Sequence, residues 1–175
     1  MRKTITLAAA LTLAATVAVA QHGDKKPLSP PAKAQATISG KQLSVAYNAP
    51  SKRGRAIMGE LVPYGKVWRT GANQATTFTT ASDVMLGNLH VPAGTYTLFT
   101  IPGEKEWTLI VNKQTGQWGT NYDQSQDLGR VKMTVTPVKN TVETFAIDLK
   151  PVKGSEGALT MSWENTQASV PVIVH

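Results

Sequence analysis

An all-β fold follows from two features of this sequence. Short runs alternate apolar with polar residues, and Gly- or Pro-bearing turns separate those runs at regular spacing. A third observation agrees: no segment carries the 3.6-residue apolar period of an amphipathic helix over a useful length. Together they predict a single sandwich-like (or squat barrel) domain of about ten mostly antiparallel strands. Period-two patterning is common to both closures and does not choose between them.

The chain opens with Arg2 and Lys3, continues with an apolar run from Ile5 to Val19, and reaches Ala18-Val19-Ala20 before a polar residue. A short basic start, a short apolar core and small residues two apart predict a secretory signal peptide over 1–20, cleaved after Ala20. The expected address is periplasmic or secreted. The apolar run is shorter than the roughly 20 residues of a transmembrane helix, so no stable membrane span is expected after cleavage. The chain has no cysteine. That removes the acylated cysteine of a lipoprotein anchor and the disulfides on which many small secreted domains rely. A mature chain from Gln21 to His175 is long enough to do without them, burying roughly 68–70% of its unfolded surface.

Residues 21–33 read QHGDKKPLSPPAK, with three prolines and no periodicity, and predict a flexible Pro-rich leader. The β-domain is expected over 34–175. Ala34 to Ile38 alternates, Gly40-Lys41 interrupts, and Leu43 to Tyr47 alternates again, which is a hairpin signal. The turn-rich stretch 51–78 runs into Thr76 to Thr80; then come a hairpin candidate with Gly87-Asn88 between Asp83–Leu86 and Leu89–Val91, Thr95 to Ile101, and Trp107 to Val111. Gly116 to Gly129 reads as the one long polar loop. Val131 to Val135, Thr144 to Leu149, Ala158 to Trp163 and Val170 to Val174 complete the expected strands. Within the turn-rich stretch, Arg55 to Leu61 suggests one helical turn and Val67 to Thr70 a short strand.

Charge is concentrated in that stretch. Between Ser51 and Asn73 five basic residues (Lys52, Arg53, Arg55, Lys66, Arg69) face one acid, Glu60, and outside it the mature chain is nearly neutral. Nucleic-acid binders spread their basic residues along a face or stripe, so no nucleic-acid partner is expected. The segment also holds Tyr64, Trp68 and Asn73. Guanidinium forks take carboxylate or phosphate bidentately, and Tyr and Trp faces stack on sugars or peptides. Arg55, Glu60, Tyr64, Trp68, Arg69 and Asn73 are therefore the candidate ligand-binding residues, for a small-molecule, carbohydrate or peptide partner. In a strand, Trp68 and Arg69 would point to opposite faces. The competing structural assignment makes Trp68 a core plug and Arg69–Glu60 an ion pair that pins the loop.

Catalytic signals are few. There is no cysteine and no Gly-x-Ser-x-Gly elbow, and a Ser-His-acid triad would have to recruit His90 from an ordinary hairpin. Three scattered histidines do not make a zinc site. The run Asp123 to Asp127 lacks the Gly and the position-twelve Glu of a calcium loop. No metal or cofactor is implied. Binding is the expected function. The alternatives are a periplasmic hydrolase using Glu60 and Tyr64 as acid–base with Arg55 and Arg69 steadying negative charge, and a structural envelope protein.

The hallmark Arg53-Gly54-Arg55-x-Ile57-x-Gly59-x-Leu61-Val62-Pro63-Tyr64-Gly65-x-Val67-Trp68-Arg69-Thr70-Gly71-Ala72-Asn73 resembles that of the bacterial family called domain of unknown function 2911. Pro92-Ala93-Gly94-Thr95-Tyr96, Glu106-Trp107-Thr108 and Gln117-Trp118-Gly119 extend the resemblance over roughly Ala34 to Ile173. It implies an exported, β-rich domain and supplies no catalytic residues.

Overall fold

A computed structural model describes residues 27–175. The signal peptide expected at 1–20 and leader residues 21–26 lie outside the described residues. Nine strands follow in chain order: β1 (Pro31–Ile38), β2 (Lys41–Asn48), β3 (Thr76–Thr80), β4 (Val84–Leu86), β5 (Leu89–Val91), β6 (Gly94–Ile101), β7 (Glu106–Asn112), β8 (Asp127–Lys153) and β9 (Glu156–Val174). All pairings are antiparallel. They form one sheet in the order β1-β2-β3-β6-β7-β8-β9-β4-β5, which is not closed into a barrel.

Instead the sheet folds over on itself. Beyond β2 the chain meets the far half of β8 through a Ser51–Thr144 bridge. The Lys52 amide donates to Glu143 O (2.7 Å) and the Phe145 amide to Pro50 O (2.9 Å). The Ile147 amide donates to the Tyr47 hydroxyl (3.0 Å). The inward faces of both parts then share one core, which includes Val45, Phe78, Leu98, Leu109, Met161 and Val172. Each such side chain contributes roughly 1.5–3 kcal/mol on burial.

Several local expectations change. β1 begins at Pro31, inside the expected leader; it is an edge strand, and proline's missing N–H costs least at the start of an edge strand. The expected helical turn at Arg55–Leu61 is a set of tight turns with a Met58–Val62 bridge and Gly59 at φ 86°. The expected strand at Val67–Thr70 shrinks to one bridge, Trp68 with Thr100. The four last expected strands are two. β8 and β9 pair as a long ribbon through register shifts between Pro137 and Ala146, where exposed polar residues imitate a loop.

A bulge keeps that ribbon facing inward. Before it, β9 buries Leu159, Met161 and Trp163; after it, Ala168, Val170, Val172 and Val174. The buried set switches from odd to even positions around Glu164, whose φ is 55°.

Candidate functional site

The segment between β2 and β3 crosses one end of the folded sheet, and three devices shape it. Buried Ile57 and Val62 anchor it in the core. Glu164, aimed outward by the bulge, accepts from the amides of Ile57 (3.2 Å) and Met58 (3.0 Å) and pairs with the Lys52 ammonium (3.3 Å). Burial pushes the Glu164 pKa up, but the Met58 amide, the Lys52 ammonium and the Ile57 amide outweigh it and hold the carboxyl below its ordinary value. Third, Trp68 exchanges backbone hydrogen bonds with Thr100 and stacks on Trp163 (5.8 Å, 18°), with Phe145 and Trp107 edge-on.

Opposite Trp68, Arg69 lies half-buried across the loop that follows β7. Its stem rests on Gly119, where a Cβ would stand 2.6 Å from Arg69 Cδ and 2.7 Å from Asn73 O, so only glycine fits. The Gly119 amide donates to Asn73 O (3.0 Å), and Asn73 sits in the left-handed region at φ 58°. Among the described residues the Arg69 guanidinium has neither a carboxylate nor a hydrogen-bond partner. Arg55 differs: its Nε donates to Lys52 O (3.0 Å) and its Nη2 to Ser51 O (2.8 Å), so most of its fork is committed to its own turn.

These elements enclose a groove of about 780 Å³. Trp68, Phe99 and Trp163 contribute apolar lining, Tyr122 adds a further aromatic ring, and Arg55, Lys66 and Arg69 bring positive charge with no acidic residue among the lining. Of the candidates read from the sequence, Arg55, Trp68, Arg69 and Asn73 line the groove. Glu60 and Tyr64 are exposed and do not. Partial burial, with Glu104 and Glu164 nearby, raises the Tyr64 pKa above its ordinary value. The supposed Arg69–Glu60 pair does not form, and Lys52–Glu164 takes the pinning role.

Sequence reasoning missed Lys66 as a lining residue, and it missed the wall built by Phe99, Gly119, Thr120 and Tyr122. Tyr122 is fixed by a network: its hydroxyl donates to Asp127 (2.7 Å), and Arg130 donates to that hydroxyl (2.8 Å) and to Asp127 (3.0 Å). Asn112 completes it with a bond to the other Asp127 oxygen (2.9 Å). The Tyr122 ring meets Phe99 edge-on at 4.9 Å. Burial and the Asp127 hydrogen bond raise the Tyr122 pKa. The Gln117-Trp118-Gly119 motif was the available signal for this wall. His90 pairs with Asp83 (3.1 Å) on the outer face of the β4–β5 hairpin and does not line the groove. Among the described residues no group of three or more His, Asp or Glu is arranged to hold a metal, and no helix is long and apolar enough to cross a membrane.

Neither a curated protein nor a solved structure matches the chain. A family model described as a protein of unknown function (DUF2911) matches residues 29–172, which take in β1 to β8, β9 but for its last two residues, and the whole segment between β2 and β3. The chain belongs to the DUF2911 family of proteins of unknown function.

Proposed function

We propose that the protein is an exported, non-catalytic binding module that takes a small anionic or polar ligand in the groove beneath the 51–78 segment. One observation carries this reading: a half-buried Arg69 in a cation-lined groove, with no anion among the described residues to pair with it. A charge withdrawn from water without a partner is costly, and a ligand carboxylate or phosphate would supply a bidentate one. The groove's volume lies in the range of small-molecule sites. The hydrolase alternative fares worse, because Glu60 and Tyr64 stand outside the groove whose arginines they would have to serve.

Thermal melts of the wild type and Arg69→Ala test it, each with inorganic phosphate, glucuronate, short acidic peptides and maltose as a neutral sugar. An anionic ligand should raise the wild-type melting temperature. Arg69→Ala should stay folded and bind about 1.5–3 kcal/mol more weakly. A wild type unmoved by every ligand, with a variant that loses several degrees of stability, would make Arg69 architecture and end the binding reading.

A further inference from the structure

The groove is divided in character. Four of the chain's eleven aromatic residues, Trp68, Phe99, Tyr122 and Trp163, line it. Phe99 and Trp163 are buried beneath the surface, whereas Trp68 and Tyr122 are only part-buried, so their aromatic surface is open to a ligand. Of the polar lining, Lys66, Asn73 and Thr120 make no side-chain hydrogen bond to a described residue, while other groups are already committed. The Tyr122 hydroxyl is held by Asp127 and Arg130, and Arg55 spends two of its nitrogens on backbone carbonyls. Arg69 remains as the free fork, its stem seated on Gly119.

A fully polar anion such as phosphate or a uronic acid would satisfy Arg69 and leave the aromatic lining uncovered. A neutral ring would do the reverse. A ligand carrying both parts satisfies the whole site, with offset or edge-on ring packing adding to the area it buries and the carboxylate–guanidinium pair fixing its direction. We infer that the groove binds a small carboxylic acid with a planar ring body, the ring against Trp68 and Tyr122 and the carboxylate on the Arg69 fork. This inference rests on the binding reading above and names the ligand class.

Calorimetric titration with four probes tests it: 2-naphthoate, its uncharged counterpart 2-naphthamide, decanoate as an unringed carboxylate, and glucuronate as a polar one. 2-Naphthoate should bind about tenfold or more tightly than each of the others, since loss of either half of the recognition costs at least about 1.4 kcal/mol. Arg69→Gln should remove that advantage over the amide. Arg69→Lys, which keeps the charge without the fork, should retain part of it and serves if the glutamine variant fails to fold. Equal binding of acid and amide, or of naphthoate and decanoate, would overturn the assignment. Arg69-dependent binding of glucuronate without naphthoate would overturn the ring acid and leave an anion-binding module standing. No heat from any probe, together with no melting shift in the wider panel, would bring down both.

Discussion

The Glu164 carboxylate gathers three donors, the amides of Ile57 and Met58 and the Lys52 ammonium, with its side chain 17% exposed. Replacing it by Gln exchanges charged hydrogen bonds for neutral ones, so Glu164→Gln should lower stability by about 1–2 kcal/mol at neutral pH. The pH dependence has a definite sign. The folded pKa lies below the ordinary 4.5, so the contribution is complete above about pH 5 and disappears as pH falls through the folded value. Melts of wild type and Glu164→Gln should therefore differ at pH 7 and converge as pH falls through the folded value; a gap that persists unchanged in acid would refute the role. This residue also shows where sequence reasoning runs out. Glu60 is the one acid inside the basic segment, so it was the natural partner to name. The acid that serves lies 107 positions from Ile57, on a bulge that nothing in the Glu164-Asn165-Thr166-Gln167 run announces. Arg55, Trp68, Arg69 and Asn73 were legible because arginine and aromatic side chains crowd a turn-rich segment. Tyr122 was not, because its place depends on folding a distant loop against β6.

Among the elements, hairpins are set by local backbone geometry. Between β1 and β2 both central residues are left-handed, Ser39 at φ 50° and Gly40 at φ 75°, as a type I′ turn requires. The alternating pattern located this hairpin, but the turn falls one residue before the Gly40-Lys41 pair, because Ile38 pairs with Lys41. A Cβ at Gly40 would meet no atom within 4 Å, so Gly40→Ala isolates the backbone cost. Chemical denaturation should show a loss of about 1–2 kcal/mol, and an unchanged midpoint would mean the turn does not hold the register. Longer elements were harder to read. The β8–β9 ribbon passes through polar, exposed residues at its irregular stretch, and alternation alone cannot tell a strand leaving the core from a loop between two strands.

For the whole molecule, the all-β class was legible because each strand carries its own alternation, whereas the sheet order depends on long-range pairings that no local pattern records. Export is a further expectation at this scale. Mass spectrometry of the periplasmic fraction should find a mature chain beginning at Gln21, and an intact Met1 there would count against cleavage. β9 is the last strand of the domain but stands inside the sheet, with β8 on one side and β4 on the other, where Val84 to Leu86 pair with Val172 to Val174. While the protein is being made, everything up to β8 emerges before the strand that joins it to the β4–β5 hairpin. The sheet can therefore close onto the β4–β5 hairpin only once β9 has been made.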